Sequence, residues 1–181
     1  MSGRGSPSKL SAPGQVTEQL YIGSRRLADD GAVLSHLQIT CVINLTESTT
    51  KNPAPAVEYV HVPVSDSPLT RLSDHFDSVA EKIHHVGEQG GRTLVHCNAG
   101  VSRSATVCLA YMMKFHSMSL IEAHKRVKAC RPIIRPNSGF WKQLIEYEFC
   151  LHGSATVKMI STPLGDIPDL YERETKDLIP C

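Results

Sequence analysis

The sequence lacks three features that would assign it to a common class: an excess of charge, a long apolar run and a secretory signal. Its 19 Lys and Arg residues nearly balance 18 Asp and Glu residues, which leaves a formal net charge of +1. That balance argues against a nucleic-acid-binding protein, which needs a broad positive field. An anionic substrate must therefore be bound by a few groups at one local site.

No segment of the sequence is suited to membrane insertion. No apolar run reaches the length needed to cross a bilayer, and no signal peptide is recognisable. Ser2 stands where N-myristoylation requires glycine. We therefore expect no stable membrane insertion and a cytoplasmic or nuclear location.

Cysteine pairs with CxxC spacing are absent too. The six cysteines are scattered along the chain, at positions 41, 97, 108, 130, 150 and 181. In a reducing compartment this pattern predicts free thiols rather than a disulfide framework. No Cys and His residues have the spacing of a zinc site, so we expect no bound metal.

What is present is the composition of one globular domain. The 181 residues, 41% of them hydrophobic, are enough to bury a core. Strands are predicted at residues 20–23, 39–46, 57–64 and 93–97, and helices at 26–36, 70–89, 103–116, 119–130 and 137–153. This alternation predicts an α/β fold: a single domain with a central, mainly parallel twisted sheet and helices on both faces.

The two ends of the chain differ in composition from this body. Residues 1–15 are rich in Ser, Gly and Pro and predict a flexible N-terminal tail. Residues 16–153 form the predicted main domain. Residues 154–181 are predicted to add one strand and a short helix that pack on the domain, as a C-terminal extension whose purpose the sequence does not indicate.

The stretch VHCNAGVSRSAT, residues 95–106, contains the main candidates for catalytic and anion-binding residues. A predicted buried strand ends at Cys97 and a helix begins near Arg103, and open α/β sheets bind ligands where strands end and helices begin. The backbone N–H groups of the short intervening loop can surround one tetrahedral anion, and Gly100 permits a backbone angle that larger residues resist. The loop residues are Asn98, Ala99, Gly100, Val101 and Ser102.

Arg103 and Cys97 suit a bound phosphoryl group. The guanidinium is a planar fork that matches two phosphate oxygens, and the positive end of the helix dipole adds to its charge. The same field favours the thiolate of Cys97, a nucleophile aimed at phosphorus. The pattern therefore predicts hydrolysis of phosphate monoesters through a phosphocysteine. A small buried thiol is the alternative, because the Cys–Arg spacing alone is a weak signal.

The sequence around this loop resembles a known family. HCNAGVSRSAT matches the HC-x5-R-S/T signature of the cysteine-dependent protein phosphatases, and the resemblance continues through VPVSDSP, AYMMKFH, RPIIRPNSGFW and DLYERE. The chain resembles a small atypical dual-specificity phosphatase, with residues 16–153 as its catalytic domain. The resemblance implies removal of phosphate from tyrosine and from serine or threonine in proteins, with no cofactor. It also implies mitogen-activated kinases as a target class.

The resemblance further implies roles for the signature residues. Cys97 would be the nucleophile, and Arg103 with the amides of residues 98–103 would bind the phosphoryl oxygens and stabilise their transition-state charge. Ser104 would assist the thiolate as the leaving group of the second step, or would simply bond the backbone at the start of a helix. His96 would organise the loop, as a hydrogen-bonded structural residue rather than a proton shuttle.

Phosphate transfer also needs an acid to protonate the leaving oxygen and then a base to activate water. The resemblance places this group at Asp66, in the loop of VPVSDSP, although an aspartate there could instead cap a turn. The rivals Asp74 and Asp77 fall within a predicted helix, where we expect solvated side chains. Asn137 would support the loop of residues 98–102, called here the phosphate loop. It could instead cap the last helix of the main domain, or do both.

Three other functions stay open at this stage. A catalytically silent pseudophosphatase would bind phosphoproteins, although the intact Asp66, Cys97 and Arg103 argue against it. A phosphoinositide or RNA phosphatase often carries lysines in the loop, and residues 98–102 have no positive charge. A thiol-redox enzyme would need a resolving cysteine, which Cys108 or Cys130 could supply only by approaching in space. The sequence indicates no oligomeric state.

Overall fold

The computed structural model describes residues 12–49 and 51–177. One sheet is formed by five strands: β1 (Gly14–Thr17), β2 (Leu20–Ser24), β3 (Cys41–Asn44), β4 (Glu58–His61) and β5 (Thr93–Cys97). Their order in the sheet is β1-β2-β5-β3-β4. β1 pairs antiparallel with β2, and the remaining neighbours in the sheet pair parallel, which confirms the predicted mainly parallel α/β architecture.

Helices connect the parallel strands, and the last helix follows the main domain. Within the described residues they are α1 (Arg25–Ala28), α2 (Gly31–His36), α3 (Phe76–Glu88), α4 (Arg103–Phe115), α5 (Leu120–Cys130), α6 (Ser138–His152) and α7 (Leu170–Asp177). The ends of α4, α5 and α6 agree with their predicted bounds to within one residue. None of the described helices combines the length and the apolar character needed to cross a membrane.

The sheet brings three strand ends together at Cys97. β5 lies at the centre of the sheet, and all of its residues are buried. Its parallel register sets Cys97 beside Ser24 of β2 and His96 beside Asn44 of β3. Because ligands bind at the carboxyl ends of parallel strands, this edge of the sheet is where a site is expected.

The single helix predicted at 26–36 is wrong, because two short helices replace it. Asp30 has an extended backbone, and its side chain accepts hydrogen bonds from the amides of Ala32 and Val33. An aspartate in this conformation caps the start of a new helix. The chain therefore ends α1 at Ala28 and begins α2 at Gly31.

Two further segments differ from the sequence-based expectation. β1 begins at Gly14, inside the predicted tail 1–15, while residues 1–11 lie outside the described part of the chain. A Cβ at Gly14 would lie 3.0 Å from the Cys130 carbonyl oxygen, so the missing side chain lets this strand pack closely against the end of α5. The helix predicted at 70–89 starts as a 3-10 turn, Leu72–His75, before α3.

α4 is the central helix of the core. Its residues from Arg103 to Met113 are all buried, because the helix packs against α3, α5 and α6 as well as the sheet. Phe140 and Trp141 at the start of α6 are fully buried beside it in the core. The helix that follows residues 98–102 is therefore enclosed by the sheet and by three other helices.

The chain beyond α6 forms a hairpin and α7. The hairpin consists of β6 (Met159–Thr162) and β7 (Gly165–Pro168), two strands where one was predicted. The buried carboxylate of Glu148 in α6 accepts hydrogen bonds from the Leu120 amide, the Thr156 amide and the Thr156 hydroxyl, each at 2.7 Å. Trp141 Nε1 donates to the Tyr171 hydroxyl of α7 at 3.0 Å. These bonds hold the extension against α5 and α6.

His124 makes the stability of this fold sensitive to acid. Its buried imidazole lies near the rings of Trp141 and Tyr171, with centroids 5.3 and 6.3 Å away. Burial, and to a smaller extent the charge of Lys128, lowers the pKa of His124 to about 4. In the unfolded chain a histidine has a pKa near 6.5, so the unfolded state takes up this proton first as the pH falls. Stability that is present above pH ~6.5 is therefore lost as the pH falls toward about 4.

We expect His124 to lower the free energy of unfolding by roughly 2 kcal/mol over this pH range. The carboxylate of Glu174, 3.8 Å from Nδ1, offsets part of the loss by attracting the protonated ring. Urea denaturation at neutral pH and at about pH 4.5 measures the effect. His124→Gln should lose much of the acid sensitivity, whereas the control His36→Gln, at an exposed helix end, should keep it. Equal acid sensitivity in His124→Gln and the unmodified protein would contradict this assignment.

Candidate active site

The segment between β5 and α4 forms a tight loop at the carboxyl edge of the sheet. The chain bends through residues 98–102, and its carbonyls are bonded from outside the loop. The Arg25 amide donates to Asn98 at 3.1 Å, and the Arg135 amide donates to Val101 at 2.7 Å. Gly100 has a φ of +69°, and a Cβ there would lie 2.6 Å from the Gly23 carbonyl oxygen. Only glycine combines that angle with that approach.

Cys97 lies at the base of this loop, next to Ser104. The Cys97 Sγ and Ser104 Oγ atoms are 3.1 Å apart. Cys97 is only 3% exposed, and Ser104 is fully buried in the first turn of α4. The hydroxyl is therefore placed to donate a hydrogen bond to the sulfur, which is stronger when the sulfur is anionic.

Arg103 is anchored along one edge of its guanidinium. Nη1 donates to the carbonyl oxygens of Leu45 at 3.3 Å and Val64 at 2.9 Å, just beyond β3 and β4. Nε is buried and has no partner within the described part of the chain. A buried donor without a partner is uncommon, and a phosphoryl oxygen at the loop would supply the missing acceptor.

Asn137 joins the Asp66 loop to the phosphate loop. Asn137 Nδ2 donates to Asp66 Oδ1 at 2.9 Å, and the Asn137 amide donates to Ser102 Oγ at 3.1 Å. Asn137 Oδ1 accepts from the Phe140 amide at 2.9 Å, so the residue also caps α6, as predicted. A Cβ at Gly139 would overlap the Pro68 carbonyl, so the Asp66 loop lies directly on the start of this helix.

The structure separates Asp66 from its rivals. Asp66 is exposed at the same edge of the sheet as Cys97. Asp77 instead accepts hydrogen bonds from Tyr147 and Lys114, which lower the pKa of its carboxyl below the ordinary value. Asp74 is an exposed residue of the 3-10 turn, and its Oδ1 lies 3.5 Å from Arg71 Nη2. Among the described residues, neither carboxylate bonds a residue of the loop.

His96 is a fully buried residue of β5. Its Nδ1 lies 3.2 Å from the Cys97 carbonyl oxygen, while Nε2 has no partner within the described residues. Burial lowers the pKa of His96, despite the opposing effect of that hydrogen bond. The imidazole is therefore neutral at neutral pH, and it touches the loop through the backbone of Cys97.

Arg131 contacts the loop, and no sequence pattern indicated this contact. Its buried guanidinium donates to the carbonyl oxygens of Ala99 and Gly100, both at 2.8 Å. The available signal is an arginine directly after the last residue of α5 and before Pro132. In the described part of the chain, no three His, Cys, Asp or Glu side chains cluster so as to hold a metal ion.

A loop of this kind, set between a central parallel strand and a buried helix with a cysteine at its base, defines the class of cysteine-dependent phosphatases. Residues 20–150 match the family model described as dual specificity phosphatase, catalytic domain. The chain therefore belongs to the dual-specificity phosphatase family. It is a protein phosphatase that acts on phosphotyrosine and on phosphoserine or phosphothreonine, as its sequence predicted.

Two dual specificity phosphatases and one solved structure align with most of this chain. It is 54% identical over 166 residues to dual specificity protein phosphatase 18 of Mus musculus, spanning 92% of this chain and 88% of that protein. Identity to dual specificity protein phosphatase 14 of Homo sapiens is 51% over 166 residues, spanning 92% and 84%. A mouse dual specificity phosphatase crystallised with zinc tungstate is 36% identical, with a TM-score of 0.77 and coverage of 84% of this chain and 96% of that one.

Proposed function

We propose that the chain hydrolyses phosphoproteins in two steps, with Cys97 as the nucleophile and Asp66 as the general acid and then the general base. The observation that carries this proposal is the Cys97–Ser104 contact of 3.1 Å, next to Arg103, whose buried Nε has no partner among the described residues. Arg103 and the amides of residues 98–103 hold the phosphoryl oxygens in both steps. Stabilisation of this kind acts on the charge that develops in the transition state.

In the first step the Cys97 thiolate attacks phosphorus. The S–P bond forms as the bond from phosphorus to the substrate oxygen breaks, and Asp66 gives its proton to that oxygen. Asn137 Nδ2 donates to Asp66 Oδ1, which marks Oδ1 as the unprotonated oxygen and leaves Oδ2 to carry the proton. Products of this step are the dephosphorylated protein and a phosphocysteine.

In the second step water replaces the sulfur. The Asp66 carboxylate takes a proton from water, the water oxygen attacks phosphorus, and the S–P bond breaks to release inorganic phosphate. Ser104 Oγ donates a hydrogen bond to the departing sulfur, which stabilises its negative charge. His96 positions the Cys97 backbone through the 3.2 Å contact of Nδ1.

The substrates in this proposal are phosphorylated proteins, with mitogen-activated kinases as the target class and the cytoplasm or nucleus as the compartment. The resemblance of the sequence to the family supports the target class. The mouse relative crystallised with zinc tungstate supports a site for a tetrahedral oxyanion. Residues 98–102 carry no cationic side chain, which favours a protein over a highly charged phosphoinositide.

Substrate class can be tested by comparing two kinds of phosphate ester. We expect release of phosphate from a peptide phosphorylated on both threonine and tyrosine, with kcat/KM at least about tenfold above that for any member of a phosphoinositide panel. Vanadate should inhibit the reaction and EDTA should not. A preference for phosphoinositides, or loss of activity on chelation, would contradict the proposal.

A further inference from the structure

Arg131 is a buried cation that spans from the end of α5 to the phosphate loop. It is 3% exposed, and its backbone turns to an extended conformation as the helix ends. Among the described residues its side chain donates to three carbonyl oxygens: Nε to Gly100 at 2.8 Å, Nη2 to Ala99 at 2.8 Å and Nη1 to Ala12 at 3.1 Å. Buried guanidinium groups are costly unless their donors are satisfied, so these bonds hold the side chain in one place.

Two of these bonds determine the direction of loop amides. The Ala99 carbonyl belongs to the same planar peptide group as the Gly100 N–H, and the Gly100 carbonyl to the same group as the Val101 N–H. In a trans peptide the C=O and N–H bonds point in opposite directions. With both carbonyls turned toward Arg131, the amides of Gly100 and Val101 must point away from it.

The fit between Arg131 and the loop depends on the absence of a side chain at Gly100. A Cβ at this position would lie 2.9 Å from Arg131 Nε, in addition to its close approach to Gly23. The chain entering β1 also lies against the arginine. Ala12 accepts the bond from Nη1, and a Cβ at Gly14 would lie 3.2 Å from the Arg131 Cβ. The guanidinium is therefore enclosed between the chain entering β1 and the phosphate loop.

The charge of Arg131 also acts on the site. Burial lowers the pKa of the guanidinium, while the negative form of Cys97 opposes that shift. A cation that bonds the Ala99 and Gly100 carbonyls favours a phosphoryl group bound at the loop.

We propose that Arg131 is a positioning residue that turns the Gly100 and Val101 amides toward the phosphoryl group. It acts through the backbone of the loop and does not touch the substrate. This inference rests on the proposed role of the loop as the phosphoryl site. Misplacement of donors by about 1 Å is enough to slow a reaction by up to about a hundredfold.

Vanadate titration of the full chain, followed by 15N–1H NMR and by inhibition kinetics, tests this role. In the unmodified protein the Gly100 and Val101 amide signals should shift as vanadate binds. In Arg131→Met we expect those shifts to shrink, the inhibition constant for vanadate to rise about tenfold to a hundredfold, and kcat/KM to fall by a similar factor. Arg131→Lys keeps the charge but loses the planar guanidinium. Its amide shifts, inhibition constant and kcat/KM should therefore lie between those of the unmodified protein and those of Arg131→Met.

Arg126→Met is the matched control. Arg126 lies on the same helix, and its Nε donates at 3.1 Å to the Val16 carbonyl of β1, so it ties α5 to the same strand without contacting the loop. It should lose stability at most, with vanadate shifts and inhibition unchanged. If Arg131→Met does not fold, Arg131→Lys gives the same comparison.

The possible outcomes separate the two proposals. If vanadate fails to shift loop amides in the unmodified protein, the phosphoryl site itself is wrong and Arg131 has nothing to position. If vanadate shifts them equally in the unmodified protein and the Arg131 variants, the site stands and the positioning role is refuted.

Discussion

Cys97→Ser should abolish turnover while leaving the affinity for phosphopeptides nearly intact. A serine hydroxyl at this position is not ionised at neutral pH, so it is a far weaker nucleophile than a thiolate. The oxyanion donors are untouched, because the loop carbonyls and Arg103 keep their partners. We expect kcat to fall by at least about a thousandfold, measured by phosphate release, and the dissociation constant of a phosphopeptide to change by less than about threefold.

Cys108→Ser is the matched control for this change. Cys108 lies on α4 one turn beyond Ser104, and its full burial raises the pKa of the thiol, so it stays neutral. The substitution puts a hydroxyl in the core and should lower stability, yet kcat should stay within about twofold of the unmodified protein. Comparable losses of kcat in the two variants would mean that damage to the fold, and not loss of the nucleophile, explains the effect.

Asp66→Asn should reduce the rate by an amount that depends on the leaving group. Loss of a general acid costs about a hundredfold to ten-thousandfold when the departing oxygen needs a proton. Serine and threonine alkoxides are poor leaving groups, so phosphoserine and phosphothreonine peptides should show the largest loss. Aryl phosphates whose leaving group is an acidic phenol should show little loss of rate. The asparagine keeps an oxygen for the hydrogen bond from Asn137 Nδ2, so the loop is expected to hold its place.

A series of aryl phosphates measures this effect directly. The slope of log kcat/KM against the pKa of the leaving phenol should become steeper in Asp66→Asn. Asp74→Asn, at an exposed residue of the 3-10 turn, should leave the slope unchanged. A uniform loss across the series in Asp66→Asn would remove that residue from the role of acid.

The sequence-based prediction of the site rested on residues that are adjacent in the chain. The buried strand ending at Cys97, the loop with Gly100 and the helix from Arg103 are continuous, so local pattern and turn chemistry sufficed to place them together. Asp66 and Asn137 lie far from the loop in sequence. Only the family resemblance placed them near it, and the 2.9 Å bond between their side chains depends on tertiary packing.

Arg131 was missed because its partners are backbone carbonyls. Its contact with Ala99 joins residues 32 positions apart, and no side-chain pattern reports a bond of that kind. The division between α1 and α2 was missed for a local reason: Asp30 followed by Gly31 is a helix-start signal that the surrounding apolar periodicity concealed. The four-residue strand β1 is too short for its alternation to be distinguished from a tail.

The most direct test of the account is to look for the covalent intermediate. Protein mixed with a 32P-labelled phosphopeptide and quenched in acid within the first turnover should carry labelled phosphate on the peptide that contains Cys97. Cys97→Ser, treated in the same way, should carry none. Label on a different residue, or turnover by the unmodified protein with no label on this peptide at any quench time, would contradict a mechanism in which the Cys97 sulfur accepts the phosphoryl group.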